Sequence, residues 1–314
     1  MQEKIKVFID GSEGTTGLRI KDMLRAREDI HLITIDEKDR KDLKVRAEKI
    51  NSADVVYLCL PDDAAKESVS VTTNPNTIII DTSTAHRCDG EWAYGFPELS
   101  KEHFGKIKKS KRIAVPGCHA SGFIAIVYPL VKAGILPRSY PLTCHSVTGY
   151  SGGGKPMIAR YQAGTDDVTL ASPRQYGLSQ LHKHLPEMAA HSGIDFAPVF
   201  NPIVCDFFNG MAVTVPLHAP FLNGKVGAAR VFETLKKHYK GSALVTVTNE
   251  DAEMIAANEL ADSWKMRINV SGNDERITIV AVLDNLGKGA SGAAMQNMNI
   301  ALGMKETKGV QNGN

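Results

Sequence analysis

In the first third of the chain, short apolar runs alternate with a stretch whose apolar residues recur every three to four positions. The runs predict strands and read KIKVFID (4–10), HLITID (31–36), DVVYLCLP (54–61), NTIIID (76–81) and RIAVPG (112–117). The helical stretch is TTGLRIKDMLRA (15–26). Nearly continuous apolar strands are typical of a parallel sheet that is buried on both faces. The alternation therefore predicts an α/β domain with a doubly wound parallel sheet.

Beyond residue 117 the pattern changes to β-rich segments in which apolar and polar residues alternate. These segments are LTCHSVTGYS (142–151), GMAVTVPLHA (210–219), SALVTVTN (242–249), WKMRINVSG (264–272) and ITIVAVLDN (277–285). Because such alternation is typical of antiparallel sheets, we predict a second, α+β domain with a mainly antiparallel sheet. A helix is predicted at 225–240, and a last helix, rich in small residues, at 289–303.

The change of pattern sets the domain boundaries. A chain of 314 residues is long enough for two domains. We expect the first domain to comprise residues 1–117, completed by a C-terminal helical segment, 285–304, that folds back onto it. The second domain is expected to comprise residues 118–284.

Composition narrows the possible functions. A formal net charge of +2 argues against a nucleic-acid binder, and five scattered cysteines without CxxC spacing fit reduced thiols better than disulfides. The longest apolar stretch is broken by Lys132, which leaves it too short to span a bilayer, and the first residues show no secretory pattern. We expect a soluble, cytoplasmic protein with no membrane partner. The basic run GKIKKSKR (105–112) is interpreted as a solvated loop ahead of a strand.

A glycine-bearing loop, DGSEGTTG, joins the first predicted strand to the first predicted helix. Gly11, Gly14 and Gly17 have the spacing GxxGxxG, which allows a tight turn and lets backbone N–H groups approach a pyrophosphate. The helix N-terminus favours negative charge, and the hydroxyls of Thr15 and Thr16 can donate hydrogen bonds. We therefore expect these five residues to bind a dinucleotide.

The segment after the second strand, IDEKDRKD, bears on the identity of the dinucleotide. Asp36 can bind a ribose 2′-hydroxyl, which favours NAD, whereas Lys38, Arg40 and Lys41 can neutralise a 2′-phosphate, which favours NADP. The segment alone leaves both cofactors open.

A single cysteine stands between a Pro–Gly turn and a long apolar run, in PGCHASG (116–122). If a helix begins at Cys118, its N-terminus can lower the thiol pKa from about 8.5 into the range of about 3.5–7.5. The alternative is a small core residue, which is the usual role of a free cysteine. The turn places Cys118 where the two domains meet, at the edge of the parallel sheet at which ligands bind. We therefore interpret Cys118 as a nucleophile.

A nucleophilic thiol needs a general acid/base, and LHKHLPEM supplies candidates. His182 and His184 share one face of an extended segment, and Glu187 can fix the tautomer of one of them. No nearby cysteine or aspartate completes a metal-ligand set, so we prefer an acid/base role to a metal site or a surface pair, and expect no metal.

Two further features suit an anionic substrate. TGYSGGGK (148–155) offers the backbone N–H groups around Ser151 and Gly152, together with Lys155, as a site for a phosphoryl group, or else it is a mobile loop. Arg174 can bind a carboxylate through two hydrogen bonds, or else it faces solvent.

Together, DGSEGTTG, PGCHASG, HKHLPEM and DNLGKGASGAAMQNMNIALG (284–303) resemble the N-acetyl-γ-glutamyl-phosphate reductase family, and its short form in particular. DTSTAHR (81–87) is similar to the corresponding segment of that form. The resemblance covers nearly the whole chain. It implies a Rossmann-like NADP-binding domain, to whose contacts we add Ser83, and a glyceraldehyde-3-phosphate-dehydrogenase-like catalytic domain that also forms a homotetramer or homodimer.

The resemblance also implies roles for the candidate residues. The family nucleophile corresponds to Cys118, and the family's His-x-His-x-Pro-Glu segment corresponds to His182, His184 and Glu187. We expect His184 to be the acid/base, with His182 as the alternative, and Glu187 to contact substrate. The family's preference for NADP favours Lys38 and Arg40 as partners of the 2′-phosphate.

The implied reaction is the NADPH-dependent reduction of N-acetyl-γ-glutamyl phosphate to the semialdehyde, through a cysteine thioester, in arginine biosynthesis. Aspartate-semialdehyde and amino-adipate-semialdehyde dehydrogenases share this chemistry and are the nearest alternatives. A non-catalytic dinucleotide-binding sensor is the alternative from another class, but it would not need both Cys118 and the histidine pair.

Overall fold

The computed structural model describes residues 3–164, 166–250 and 253–310. The chain divides into two units, each with its own sheet. The first unit contains the described residues up to Pro116 and those from Ala290 onward, and the second extends from Gly117 to Gly289. None of the helices in the described ranges is long and apolar enough to cross a membrane.

The first unit holds a six-stranded sheet in the order β2-β1-β3-β4-β6-β5, with every described strand pair parallel. Its strands are β1 (Ile5–Asp10), β2 (Ile30–Ile33), β3 (Val55–Leu58), β4 (Ile78–Asp81), β5 (Ala93–Tyr94) and β6 (Arg112–Ala114). All four residues of β3 are buried, as a strand covered on both faces requires. The predicted doubly wound parallel sheet is confirmed.

Within the described residues, four α-helices connect these strands. They are α1 (Thr15–Arg25), α2 (Leu43–Ser52), α3 (Asp62–Ser70) and α4 (Lys101–Lys109). Side-chain caps mark two of the starts, because the Asp42 carboxylate accepts the N–H of Lys44 at 2.8 Å and the Ser100 hydroxyl accepts the N–H of His103 at 3.2 Å.

The basic run 105–112 is not the loop that we predicted. Most of it belongs to α4, which continues to Lys109 and packs on the fold through the buried Ile107, while Lys106, Lys108 and Lys109 remain exposed. Three lysines in the last turn also complement the negative end of the helix dipole. The charge run was correctly placed in solvent, but the Ser100 cap and the single apolar anchor make it helical.

The second unit holds a seven-stranded sheet in the order β11-β12-β13-β10-β7-β9-β8. Its strands are β7 (Thr143–Gly149), β8 (Arg174–Gln175), β9 (Val199–Cys205), β10 (Met211–His218), β11 (Val245–Thr248), β12 (Met266–Gly272) and β13 (Arg276–Leu283). Two of the described strand pairs, β7 with β9 and β11 with β12, are parallel, and the other four are antiparallel. The predicted mainly antiparallel sheet is confirmed.

Helices of the second unit are α5 (Cys118–Lys132), α6 (Gly154–Gln162), α7 (Leu185–Ser192) and α8 (Ala228–His238). Eleven of the fifteen residues of α5 are buried, because the helix packs against β10, β13, α7 and α8. Gly122 allows the close approach to β10, since a Cβ there would lie 2.5 Å from a methyl carbon of Val213. The helix that begins with Cys118 is thus fixed on several sides.

The last helix, α9 (Gly292–Ala301), belongs to the first unit. It packs against α4 and β4 and carries buried polar residues that bind the unit's backbone and side chains. Asn297 Nδ2 donates to the Gly95 carbonyl at 2.9 Å, and Asn299 Oδ1 accepts from Arg27 Nη1 at 2.8 Å. These bonds make α9 an integral part of a unit whose strands come from the start of the chain.

Candidate active site

The three glycines that follow β1 differ in whether their surroundings leave space for a Cβ. Gly11 has φ +87°, and a Cβ there would overlap the carbonyl oxygen of Cys59. A Cβ at Gly17 would overlap the carbonyl oxygen of Gly11, whereas one at Gly14 would lie 3.6 Å from that atom, an ordinary contact. Gly11 and Gly17 therefore shape the turn itself, and Gly14 precedes α1 without a packing requirement.

A cavity of about 240 Å³ opens at the carboxyl ends of β1 and β3. Its lining consists of Ile9, Asp10, Gly11, Ser12, Glu13, Gly14, Ile35, Arg40, Lys41, Cys59 and Leu60. The strand order reverses between β1 and β3, which is where open parallel sheets bind ligands. Asp10 is buried there and accepts hydrogen bonds from Arg46 Nε at 3.2 Å and Ser68 Oγ at 2.7 Å, so its charge is balanced within the fold.

The candidate cofactor residues are placed unevenly around this cavity. Of those expected from the sequence, Gly11, Gly14 and Arg40 line it, while Thr15, Thr16 and Gly17 form the first turn of α1 behind the loop. Lys41 also lines it, but Lys38 is exposed and is not among the described lining residues. The cations that the structure offers to a 2′-phosphate are therefore Arg40 and Lys41.

Ser83 lies in the turn that follows β4. Its N–H and its hydroxyl both donate to the Asp81 carboxylate, at 2.9 and 2.7 Å, and its hydroxyl accepts the N–H of Ala85 at 3.2 Å. The same carboxylate lies 2.6 Å from His86 Nδ1, and His86 stacks on Trp92 with ring centroids 4.0 Å apart. The Ser83 hydroxyl thus already donates and accepts within this turn.

Cys118 is the first residue of α5, as the sequence predicted. The Gly117 N–H, in the turn just before it, donates to Glu187 Oε1 at 2.8 Å. Gly289 lies against the cysteine from another side, since a Cβ at Gly289 would be 2.6 Å from the Cys118 Cβ. Glu187 is buried and anchors the backbone of the cysteine turn.

The two predicted histidines lie together, immediately before α7. Their ring centroids are 4.8 Å apart, and the backbone N–H of His184 donates to His182 Nδ1 at 3.2 Å. Burial, together with the charge of Lys183, lowers the pKa of His182 to about 4, so its ring is neutral at pH 7. Because Nδ1 accepts a hydrogen bond, the neutral ring carries its proton on Nε2.

A third histidine, His119, completes this group, although it was not among the site residues expected from the sequence. Its ring centroid lies 5.7 Å from that of His182 and 5.6 Å from that of His184. Its Nδ1 is 2.6 Å from Ser146 Oγ on β7, and its Nε2 is 2.8 Å from the hydroxyl oxygen of Tyr176. Burial lowers its pKa to about 3, with His182 adding to the effect. The one available signal was its position next to Cys118.

The glycine-rich segment expected to bind phosphate is partly occupied by its own fold. The N–H groups of Gly149, Tyr150 and Ser151 donate to carbonyls of the 207–210 segment at 2.9–3.0 Å, and the Ser151 hydroxyl accepts from Asn285 Nδ2 at 2.9 Å. Gly152 and Lys155 are exposed, Lys155 in the first turn of α6. The exposed part of the segment is therefore the part open to an anion.

Two tyrosine side chains link Arg174 to the glycine-rich segment. Its Nη2 donates to the Tyr161 hydroxyl at 2.8 Å, and Tyr161 stacks on Tyr150 with ring centroids 4.4 Å apart. Tyr150 belongs to the glycine-rich segment. The guanidinium thus has a defined position rather than simply facing solvent.

The chemistry available to the second unit is that of a thiol and imidazoles. Within residues 3–164, 166–250 and 253–310, no group of three or more His, Cys, Asp or Glu side chains is arranged to hold a metal ion. Cys118 lies at a helix start, where a thiol can act as a nucleophile, and the neutral His182 and its neighbours can accept or donate protons.

Two protein-family models match the chain. Residues 5–107 match the NAD binding domain of semialdehyde dehydrogenase, and residues 118–285 match the dimerisation domain of semialdehyde dehydrogenase. The first match contains the glycine loop, and the second contains Cys118 and all three clustered histidines.

Similar sequences agree with these matches. Proteins named N-acetyl-gamma-glutamyl-phosphate reductase from Brucella ovis and Brucella abortus are each 46% identical to the chain over 308 residues. The alignments cover 96% of this chain and 99% of each relative.

Solved structures with the same fold are more distant in sequence. Aspartate semialdehyde dehydrogenase II from Vibrio cholerae matches with a TM-score of 0.72 at 14% identity, covering 96% of this chain and 99% of that one. Aspartate semialdehyde dehydrogenase from Candida albicans, solved with NADP, matches with a TM-score of 0.67 at 14% identity, covering 95% and 98%. At this identity the likeness establishes the two-domain fold.

Proposed function

The chain belongs to the semialdehyde dehydrogenase family of oxidoreductases, and on this basis we propose that it reduces N-acetyl-γ-glutamyl phosphate with NADPH. The products are N-acetyl-L-glutamate 5-semialdehyde and phosphate, which makes the reaction a step of arginine biosynthesis. The observation that carries this proposal is the grouping of His182 and His184 around His119, the second residue of the helix that begins with Cys118.

Covalent catalysis begins at Cys118. The thiolate attacks the acyl carbon of the acyl phosphate, and the tetrahedral adduct expels phosphate to leave a thioester on the sulfur. NADPH, when bound, supplies a hydride to the thioester carbon. The resulting thiohemiacetal loses its hydroxyl proton, the carbon–sulfur bond breaks, and the semialdehyde departs as the thiolate is regenerated.

Proton transfer is assigned to the histidine pair. His184 accepts the proton of the Cys118 thiol before attack, gives it to the alkoxide that forms when hydride reaches the thioester, and takes it back as the thiohemiacetal collapses; His182 is the alternative for this role. Support comes from the position of both rings in one cluster and from the neutral state of His182 at pH 7. Glu187 supports the same site through its bond to the Gly117 N–H.

The cavity of the first unit suits a dinucleotide phosphate. Because Gly11 and Gly17 carry no Cβ, the backbone of the loop folds tightly before α1, and Gly14 to Thr16 form a helix N-terminus for a pyrophosphate. Arg40, which lines the cavity, supplies positive charge for the 2′-phosphate of NADP, and Lys38 and Ser83 are proposed as further contacts.

Substrate groups are proposed to meet the glycine-rich segment and its neighbours. Gly152 and Lys155 are exposed and suit the phosphoryl group, and Ser151 holds the segment through its bond from Asn285. Arg174, whose position Tyr161 defines, suits the substrate carboxylate.

The second family model is a dimerisation domain, which supports an oligomer. We propose a homodimer or homotetramer, and a cytoplasmic location in keeping with the pathway. Light scattering of the purified protein would distinguish a monomer, which would contradict the proposal, from either oligomer.

The function is tested in the reverse direction, in which the substrates are stable. Purified protein is mixed with NADP, phosphate and N-acetyl-L-glutamate 5-semialdehyde, and NADPH formation is followed by absorbance. We expect phosphate-dependent turnover that Cys118→Ser reduces by at least about 10⁴-fold, because the sulfur forms the covalent intermediate. Cys205→Ser is the matched control and should retain turnover, since Cys205 lies at the end of β9.

Other outcomes would redirect the proposal. Turnover with aspartate semialdehyde or the amino-adipate homologue, but not with this substrate, would keep the chemistry and change the substrate. NADP binding without turnover of any of the three semialdehydes would contradict an enzymatic function and favour a sensor.

A further inference from the structure

A hydrogen-bonded chain of three side chains lies beside the nucleophile. It runs from Ser146 on β7 through the ring of His119 to the hydroxyl of Tyr176, with distances of 2.6 and 2.8 Å. His119 directly follows Cys118 in α5, so the chain is attached to the turn of helix that holds the sulfur. None of its members has a part in the mechanism described above.

Burial sets the direction of the first bond. Ser146 is fully buried, and within the part of the chain that the structure describes its one hydrogen-bond partner is His119 Nδ1. A buried hydroxyl proton without an acceptor costs about 1–3 kcal/mol. The Ser146 hydroxyl therefore donates to Nδ1 rather than accepting from it.

The second bond follows from the first. The His119 ring is neutral at pH 7, and a neutral ring that accepts at Nδ1 carries its proton on Nε2. Nε2 therefore donates to the Tyr176 oxygen. Among the described residues, His119 is the one hydrogen-bond partner of that oxygen, so the O–H of Tyr176 remains available to another acceptor.

We propose that this chain, which we call the Ser146–His119–Tyr176 chain, presents the Tyr176 hydroxyl as a hydrogen-bond donor to the substrate oxygen that becomes negative when Cys118 is acylated. The inference rests on the proposed function, because it needs an acyl group on the sulfur. Tyr176 is then a catalytic residue, while His119 and Ser146 are positioning residues that act through it.

The chemistry requires no net proton transfer from the phenol. When the thiolate adds to the acyl carbon, the carbonyl oxygen gains the electron pair of the C=O bond and accepts the hydrogen bond from Tyr176. Tyr176 keeps its proton, because burial and the nearby Cys118 both raise its pKa above the ordinary value. The same bond steadies the alkoxide formed when hydride reaches the thioester.

The first test removes only the donor. Tyr176→Phe should lower kcat for semialdehyde oxidation by about 10²-fold, as loss of one oxyanion donor does, while KM changes by less than about threefold. Alkylation of Cys118 by iodoacetamide should continue in this variant, which shows that the thiol is intact. Circular dichroism and the thermal midpoint check that the variant is folded.

The second test separates positioning from packing. His119→Leu removes the Nε2–H donor and should lower kcat by about tenfold, with no further loss when it is combined with Tyr176→Phe. His119→Gln can place an amide N–H near the Nε2 position and should restore most of kcat. Ser146→Ala, a smaller change in the core, should act in the same direction as His119→Leu.

The outcomes separate this inference from the proposed function. Wild-type turnover that survives in Tyr176→Phe, or additive losses in the double variant, would overturn the role of the Ser146–His119–Tyr176 chain and leave the proposed function standing. Absence of turnover in the wild type with all three semialdehydes would overturn both. A tenfold or larger loss of kcat in His119→Leu, restored in His119→Gln, would support the inference.

Discussion

The two candidate sites of this protein are built from different materials. In the first unit, the loop between β1 and α1 depends on backbone and on missing Cβ atoms, as at Gly11 and Gly17. In the second unit, the candidate site is made of side chains that contact one another. They come from α5, β7, the segment around Tyr176 and the residues just before α7.

This difference decides how each site tolerates change. A site made of backbone fails when a Cβ is added, whatever the chemistry of the new side chain. A site made of buried side chains tolerates a change of shape poorly too, but it can be rescued by a side chain that restores the hydrogen bond.

Gly289→Ala adds a Cβ next to Cys118 and so tests whether the side-chain site is also sensitive to an added Cβ. Its Cβ would lie 2.6 Å from the Cys118 Cβ, so the cysteine must move, and displacement of a nucleophile by about 1 Å costs about 10²-fold in rate. We expect that loss in kcat. Gly105→Ala is the control, because none of the described atoms lies within 4 Å of a Cβ there. Equal kcat in the two variants would contradict the steric role of Gly289.

Gly11→Ala and Gly14→Ala test the cofactor loop. Positive φ and overlap with the Cys59 carbonyl should make Gly11→Ala cost about 2–3 kcal/mol in the free energy of unfolding, with NADP binding at least tenfold weaker. Gly14→Ala meets only ordinary contacts and should keep its thermal midpoint. Thermal unfolding and NADP titration of both variants measure these effects. Equal thermal midpoints and equal NADP affinities in the two variants would contradict the different roles of Gly11 and Gly14.

The buried His119 should make stability depend on pH. Its folded pKa of about 3 lies below the unfolded value of about 6.5, so the unfolded state binds more protons between these values, and stability falls as pH drops through that window. From pH 6.5 to 5 the loss from this group is about 1.5 kcal/mol. Urea unfolding of the wild type and of His119→Gln at both pH values gives the free energies of unfolding. The variant should lose less stability between the two pH values, because it lacks the contribution of His119.

Arg40→Gln should shift cofactor preference towards NAD by about tenfold, because it removes a cation from the cavity wall. Lys38→Gln is the matched control, since Lys38 is exposed and is not among the described residues that line the cavity. The ratio of kcat/KM for NADP and NAD measures the change. A shift in Lys38→Gln as large as that in Arg40→Gln would indicate that both residues meet the 2′-phosphate, as the sequence predicts.

Local signals predicted much of the fold. The burial of strands such as β3 and β10 can be read from their own residues. All four residues of β3 are buried, whereas in β10 buried residues alternate with more exposed ones. The run 105–112 was mistaken for a loop because its charges outnumber its one buried residue, Ile107, and because the Ser100 cap lies outside the run. A single capping residue and a single buried apolar residue predict a helix only weakly when they stand beside a block of lysines.

The candidate site was predictable only where its residues are neighbours in sequence. The start of α5 at Cys118 follows from the Pro–Gly turn and the apolar run. The bonds of His119 to Ser146 and Tyr176 join residues 27 and 57 positions apart, and they depend on how β7 and its neighbours are paired. No local pattern marks either partner, so these contacts could be found only in the folded chain.

The return of α9 to the first unit has a consequence for the order in which the protein matures. A chain is synthesised from its N-terminus, so the six strands of the parallel sheet leave the ribosome long before residues 292–301. Until then, Arg27 and the Gly95 carbonyl lack the partners that Asn299 and Asn297 provide. The unit whose strands are made first is therefore completed only after the second unit has been made, and a chain that stopped before residue 292 would contain every strand of the parallel sheet but lack the helix that completes it.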